Sequence, residues 1–283
     1  MNRLIVNADD FGLTSGVNRA IVELHKAGAL SSATLMARAL ATEEAIELAC
    51  STPSLGVGCH VVLVDGEPVL PPDELPTLSD PIAGNLYSTL GKFVKRLLAR
   101  QFRAREIEAE AAAQIALLQA KGVALTHIDT HKHTHMFPAV LRPVLRAARA
   151  AGIHSVRNPF EPAWSLRATP EAPWLRRTQV HLLRYLFEPA FRRIVAEEGF
   201  TTTNGAIGVL ATGTLGTATV RSLLRNLPEG AWELVTHPGY NDDQLAQART
   251  RLLASRETER EALSSFNAWD GVEQISFADL TAR

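Results

Sequence analysis

The chain has 283 residues and a formal net charge of −1, from 29 basic and 30 acidic residues. This length suits one large domain, since α/β barrels commonly have about 250 residues, and the balanced charge excludes a global field that would attract nucleic acid. The two cysteines, Cys50 and Cys59, are too few for a disulfide framework and indicate a reducing, cytoplasmic compartment. The sequence has no signal-peptide pattern and no run of about 18 apolar residues, so we expect no transmembrane segment.

Short apolar runs alternate with helical patterns, which predicts βα units and a largely parallel sheet. The first unit is a strand over Leu4–Val6 and a helix that Thr14 or Ser15 caps and Gly28 ends. Later strands are predicted at Ser32–Met36, Leu55–Cys59, Leu125–Asp129, Ser155–Arg157, Ala206–Leu210, Leu234–Thr236 and Gln274–Phe277. Helices are predicted at Thr42–Cys50, Arg105–Lys121, Ala139–Ala151, Ala218–Asn226 and Asp242–Ser265.

Two stretches interrupt this alternation. Val64–Arg103 opens with proline-rich turns and ends in a basic amphipathic helix, and Asn158–Gly199 opens with NPFEPAW and ends in a second such helix. Insertions of this kind usually decorate the active-site end of a barrel. We therefore expect both to lie over that face, within a single domain that spans residues 1–283.

Polar side chains recur where the predicted strands end. They are Asp9, Asp10, His60, Asp129, His131, Arg157 and His237. Active sites of parallel α/β folds assemble at the carboxyl ends of the strands, so we expect these side chains to meet there. Carboxylates and imidazoles bind divalent metals around a reactive water, which is typical of a metallohydrolase.

The pair Asp9 and Asp10 in LIVNADDFG has two interpretations. It belongs either to a metal site or to a turn in which the carboxylates cap backbone N–H groups. The adjacent DFG is not a kinase motif, because the glycine-rich loop, the strand lysine and the HRD segment are absent from the sequence.

Three histidines, His131, His133 and His135, alternate in THIDTHKHTH. In an extended segment all three would face one side, whereas in a helical turn His131 and His135 would align. Taken alone, His60 is more often a packed histidine than a ligand, and His127 is expected to pack. Three histidines within five residues nevertheless indicate a metal centre.

The segments NADDFGLTSGVNRAI, GVGCHVVL, HIDTHKHTHMFPAV and VTHPGY resemble, in their order and separations, the YdjC-like carbohydrate deacetylases, the ChbG/HpnK family. The resemblance covers nearly the whole chain. It implies an α/β fold, a distorted β/α (TIM-like) barrel similar to the NodB-type polysaccharide deacetylases, with one divalent metal. It further implies Asp10, His60 and His131 as metal ligands. Asp9 would be the general base and His237 the general acid in hydrolysis of the N-acetyl group of an amino sugar.

Other side chains receive supporting roles. His133 and His135 would line the site or orient its members, although an exchange of roles within the histidine run stays open. Asp129 would fix a histidine tautomer, and Arg157 would orient Asp9, bind substrate or form a surface salt bridge. The metal is expected to be Mg or Zn, with Mn, Co and Ni as alternatives, because oxygen and nitrogen ligands suit them all.

Two substrate classes stay open. The resemblance to the hopanoid-associated HpnK branch, whose acetylated sugar is attached to a lipid, rests on HVVLVDGEPVLPP and HKH, whereas the segments HMFPAV and THPGY fit chito-oligosaccharides equally well.

The basic helix of the first insertion could touch an anionic membrane surface or serve as a solvated lid. Trp164 could stack on a sugar, although packing is the default for it. A homo-oligomer is compatible with the sequence.

Two functional alternatives remain. One is another metal-dependent amide or ester hydrolase of the same barrel type; a glycine-rich phosphate cradle, which phosphate chemistry would favour, is not evident. The other is a non-catalytic protein that binds a sugar or lipid through a metal. Asp9 and His237 argue against the second alternative, because binding alone needs neither a base nor an acid.

Overall fold

The computed structural model describes residues 2–248, 250–266, 269 and 271–280. The strands are β1 (Asn2–Phe11), β2 (Ser32–Leu35), β3 (Gly56–Val61), β4 (Leu125–Thr130), β5 (Ala206–Ile207), β6 (Gly230–Thr236) and β7 (Glu273–Gln274). The helices are α1 (Ser15–Lys26), α2 (Thr42–Ser51), α3 (Leu90–Leu98), α4 (Ala104–Ala120), α5 (Pro138–Ala150), α6 (Ala163–Ala168), α7 (Trp174–Glu197), α8 (Thr217–Arg225), α9 (Asp243–Gln247) and α10 (Ala254–Ser264). Two 3-10 helices cover His131–Met136 and Phe277–Leu280.

The named strands all pair in parallel, in the order β4-β3-β2-β1-β6-β5, with β7 beside the start of β1. Short bridges then curl the sheet onto itself. Val156 bridges Ile128 of β4, Ser155 bridges Thr201, and the chain after Thr201 runs into β5, which pairs with β6. The expected distorted β/α barrel is therefore confirmed. Two of its positions are formed by segments too short to count as full strands, which distorts the ring.

Side chains of β1 alternate between the outer core and the inside of this ring. Leu4, Val6 and Ala8 pack in the main core between the sheet and the helices, whereas Ile5 belongs to a separate apolar cluster. Because successive strand residues face opposite sides, Asp9 lies on the same side as Ile5. The interior is thus apolar near the start of β1 and polar near its end.

The C-terminal segment fills the amino-terminal end of the ring. Phe277 joins Ile5 in the inner cluster, and its ring stacks on that of His127 with centroids 3.8 Å apart. Gly58 makes room for this stack, because a β-carbon there would lie 2.5 Å from Cε1 of His127. His127 therefore packs, as expected, and the polar chemistry is left to the carboxyl ends of the strands.

Four expected elements differ from the structure. Of the expected strand Ala206–Leu210, only Ala206–Ile207 forms a strand. Ser155–Arg157 forms isolated bridges instead of a strand, and Gln274–Phe277 is divided between β7 and a 3-10 helix. The expected helix Asp242–Ser265 is two helices, α9 and α10. Between them the Thr250 hydroxyl accepts the N–H of Leu252 at 3.1 Å, a local side-chain bond that competes with helical pairing.

Both insertions contact loops at the carboxyl ends of the strands. Lys132 pairs with Asp65 of the first insertion at 2.5 Å, and Arg176 of α7 donates to the carbonyl of Val209 at 3.0 Å. Farther along, the first insertion packs on α4, where Glu106 accepts the N–H of Thr77 at 2.7 Å. Their placement over the active-site face stays a prediction. Among the helices of the described residues, none is long and apolar enough to cross a bilayer.

Replacing Phe277 by alanine should lower the free energy of unfolding by about 3–5 kcal/mol, because the ring is fully buried and its removal leaves a cavity beneath His127. Urea denaturation measures this change. Leu98→Ala is the control, since Leu98 is 69% exposed and should change stability by less than about 0.5 kcal/mol. Equal effects of the two substitutions would contradict the conclusion that Phe277 fills the amino-terminal end of the ring.

Candidate metal centre

Three potential ligand atoms form a small triangle at the carboxyl end of the sheet. Oδ1 of Asp10 lies 3.5 Å from Nε2 of His60 and 3.5 Å from Nδ1 of His131, and the two nitrogens are 3.2 Å apart. Ligands about 2.1 Å from an ion in tetrahedral geometry are about 3.4 Å from one another. The triangle therefore has the size that one small divalent ion requires.

The backbone at Asp10 lets both neighbouring aspartates serve the same site. In a regular strand Asp9 and Asp10 would face opposite sides, but Asp10 has a left-handed φ of 65° and the register of β1 shifts between Ala8 and Phe11. Aspartate tolerates this conformation better than most residues. The bend turns Asp10 towards the histidines while Asp9 stays inside the ring.

The tautomer of His60 suits metal binding. Its Nδ1 lies 2.7 Å from Oδ1 of the buried Asp129, so Nδ1–H donates to the carboxylate and the lone pair of Nε2 faces the triangle. Burial lowers the pKa of His60, but Asp129, then Asp9 and Asp10, outweigh it and raise the pKa to about 9. The pocket thus attracts a cation, and a metal at this nitrogen would take the place of a proton.

The histidine run is neither extended nor regularly helical, which corrects both sequence-based alternatives. Lys132 and His133 have left-handed φ values of 55° and 52°, and this turn separates the three rings. His131 enters the triangle. His135 lies behind it, with Nδ1 2.8 Å from Oγ1 of Thr130 and Nε2 3.2 Å from the carbonyl of Arg157.

His133 is buried outside the ligand triangle. Its ring centroid lies 6.3 Å from that of His135, and its Nδ1 has no hydrogen-bond partner among the described residues. Burial, with a smaller contribution from Arg157, lowers the pKa of His133 to about 3. A neutral imidazole with a free nitrogen can accept or donate a hydrogen bond, and the supporting role of His133 stays a prediction.

Arg157 is the hub of a buried charge network. Its two Nη atoms hold the Asp9 oxygens at 2.8 and 2.6 Å, its Nε lies 2.6 Å from Oε1 of Glu233, and it also contacts Asp129. The alternative of a surface salt bridge is wrong, because Arg157 has no exposed surface. Burial raises the pKa of Asp9, but Arg157 and then His60 outweigh it and hold that pKa well below its usual range.

His237 faces Asp9 from the end of β6. Its Nε2 lies 3.7 Å from Oδ2 of Asp9, and its backbone N–H donates to Oε2 of Glu259 at 2.6 Å. The side chain of His237 is 12% exposed, so the imidazole sits at the edge of the buried cluster. From this position the imidazole can contact both the buried Asp9 and a molecule that enters from solvent.

Sequence reasoning missed three buried partners. They are Glu233, which pairs with Arg157; Arg256, which pairs with Asp10 at 2.5 Å; and Glu259. A charged residue inside the apolar strand AWELVT was a usable signal for Glu233. The segment SRETERE gave none, because its charges look like those of any solvated helix.

Trp164 of α6 packs against the core. Its indole packs edge-on against Trp232, with centroids 5.3 Å apart, and Trp232 precedes the carboxyl end of β6 by four residues. Packing, the default for this residue, accounts for its position. A stacking role of Trp164 on a sugar stays a prediction.

A family model described as YdjC-like protein matches residues 3–270. The chain belongs to the YdjC-like family. A carbohydrate deacetylase of Brevibacillus brevis is 35% identical over 245 residues, which cover 85% of this chain and 83% of that protein. A chitooligosaccharide deacetylase of Salmonella typhimurium is 38% identical over 152 residues, which cover 53% of this chain and 57% of the relative.

A solved structure has the same fold over nearly its whole length. This protein, a candidate cellobiose-phosphate cleavage protein of Enterococcus faecalis V583, is 25% identical, with a TM-score of 0.76 and coverage of 99% of this chain and 98% of that one. The suspected family and the barrel fold are thereby confirmed.

We expect one divalent ion per chain of this protein, bound through Asp10, His60 and His131. The double variant His60→Ala, His131→Ala should lose it, because one carboxylate oxygen cannot hold the ion alone. Elemental analysis after dialysis measures the stoichiometry, and anomalous diffraction locates the ion. His154→Ala is the control, since His154 is exposed and packs near Phe200. Unchanged stoichiometry in the double variant would contradict the assignment.

Proposed function

We propose that the chain is a metal-dependent deacetylase that hydrolyses the N-acetyl group of an amino sugar to acetate and a free amine. One observation carries the proposal: the triangle of Asp10, His60 and His131 adjoins a carboxylate and an imidazole that can move protons in opposite directions. The family supports it, because relatives that match most or half of the chain are carbohydrate or chitooligosaccharide deacetylases.

The donor set fits a catalytic metal. A divalent ion with three protein ligands would supply a water of lowered pKa and polarise the acetamide carbonyl. Oδ2 of Asp10 is already paired with Arg256, so Asp10 offers the triangle one oxygen. Mixed oxygen and nitrogen ligands suit Mg or Zn, and also Mn, Co or Ni.

Asp9 would act as the general base. Arg157 fixes both of its oxygens and holds its pKa low, so Asp9 is ionised at neutral pH and ready to accept a proton. A base of low pKa is weak, and this one depends on an acidified water as its proton donor. Rigid placement beside the triangle compensates in part, because the base needs no reorientation before it reacts.

His237 would act as the general acid. The carbon–oxygen bond forms as water attacks the acetamide, the water's proton moves to Asp9, and the carbon–nitrogen bond breaks as His237 gives its proton to the departing nitrogen. Its imidazole suits this role because it sits at the edge of the cluster, 3.7 Å from Asp9. The acetic acid that forms ionises to acetate and leaves with the amine. Asp9 then releases its proton and His237 takes one up, which restores both groups.

The substrate is either a chito-oligosaccharide or a hopanoid-linked glycoside, and a glycolipid would place the protein at the periphery of a membrane from the cytoplasmic side. Acetate release from both substrates, measured side by side after reconstitution with each candidate metal, distinguishes the two. Release from another acetylated amide or ester alone would favour a related hydrolase. Binding of sugar without release from any substrate would favour the non-catalytic alternative.

Asp9→Asn and His237→Asn should each lower kcat by about 100-fold or more, because each removes one proton transfer. Metal stoichiometry should stay near that of the wild type, since neither residue belongs to the triangle. Asp9→Asn should also lower the unfolding midpoint, because it takes one carboxylate from the buried Arg157, whereas His237→Asn should leave the midpoint nearly unchanged. Steady-state acetate release measures the effect. Asp73→Asn and His154→Asn, at exposed positions, serve as controls. Wild-type rates in both site variants would refute the proton-transfer scheme.

A further inference from the structure

We infer that Arg256 of α10 is a positioning residue that makes Asp10 a one-oxygen ligand and thereby sets the metal affinity of the site. The inference deepens the proposed function and rests on its ligand set. Arg256 is 246 residues from Asp10 in sequence, yet its Nη2 lies 2.5 Å from Oδ2 of Asp10. The opposite oxygen, Oδ1, is the one that faces His60 and His131, at 3.5 Å from each.

The two oxygens of Asp10 are thus divided between two partners. A free carboxylate rotates about its last bond and can bind an ion through one or both oxygens, whereas one oxygen held by a buried guanidinium cannot turn towards the triangle. Arg256 has no exposed surface, and Asp10 is 4% exposed, so water does not compete for this contact. The position of Arg256 therefore determines the orientation of the Asp10 carboxylate.

The loop that carries His237 fixes the position of Arg256. The N–H of Gly239 donates to the carbonyl of Arg256 at 3.2 Å, and a β-carbon at Gly239 would lie 3.1 Å from Cδ of Arg256. The glycine of the HPGY motif therefore makes room for the stem of this arginine. Any larger residue there would press on the side chain that holds the metal ligand.

Glu259 anchors α10 to the same loop one turn farther along the helix. Its Oε2 accepts the N–H of His237 at 2.6 Å, and its Oε1 accepts the N–H of Gly213 at 3.2 Å. Residues three apart share one face of a helix, so Arg256 and Glu259 both point into the site. One rigid element thus connects the metal ligand with the proposed acid.

The test is the affinity of the metal-free protein for Zn²⁺ and Mn²⁺, measured by competition with a chelating dye. Arg256→Met should weaken binding by about 10–100-fold, as expected for loss of a residue that orients a ligand. Arg256→Lys, which keeps the charge but not the planar fork, should lie between this variant and the wild type. Arg251→Met, at an exposed position, is the matched control.

A double-variant cycle separates positioning from general damage. If Arg256 acts through Asp10, Arg256→Met in an Asp10→Asn background should weaken binding by less than about 2-fold, because there is no carboxylate left to hold. Circular dichroism confirms folding of each variant, and Arg256→Lys decides the question if Arg256→Met does not fold. Wild-type or tighter affinity in a folded Arg256 variant, or equal losses in both backgrounds, overturns the inference. The assay uses no substrate, so a protein that binds metal but releases no acetate would refute only the proposed function.

Discussion

A single buried guanidinium holds the interior of the barrel together. Arg157 pairs with carboxylates from three strands: Asp9 of β1, Asp129 of β4 and Glu233 of β6. Arg157 directly follows residues 155 and 156, which join β4 to residue 201 only through isolated bridges. Strand pairing in the ring is weakest at this point. Removal of one partner of a buried ion pair leaves an uncompensated charge and lowers the free energy of unfolding by about 3–5 kcal/mol. Closure of the ring and placement of the proposed base therefore depend on the same side chain.

This arrangement also sets the charge of the site. Asp9, Asp10 and Asp129 outnumber the two guanidinium groups paired with them, those of Arg157 and Arg256. Burial, despite Arg157, raises the pKa of Glu233 to about 8. The surplus negative charge accounts for the raised pKa of His60, and it would favour a divalent cation at the triangle. A proton and a metal would compete for the same nitrogen of His60, so metal binding there should strengthen as the pH rises.

Apolar packing and the charged side chains occupy opposite ends of the ring. The stack of Phe277 on His127 fills the end where the strands begin, and the charged layer occupies the end where they finish. Helix α10 contacts this charged layer: Arg256 pairs with Asp10, and Glu259 accepts the backbone N–H of His237.

The sequence by itself determined the βα alternation, the strand-end positions of the ligand candidates and the family. The residue types and the strand-end positions indicated a metal site among several candidates, because parallel strands gather their carboxyl ends at one edge. The resemblance to the family then implied Asp10, His60 and His131 as its ligands. The tertiary structure alone decided which of the alternating histidines enters the triangle, since that depends on left-handed backbone at Lys132 and His133. It alone revealed the pairing of Arg256 with Asp10, because local sequence gives a charged helical residue the same pattern whether it meets water or a buried carboxylate 246 residues away. Periodicity records which side of an element is apolar, whereas the partner of a buried charge is fixed only when distant segments pack.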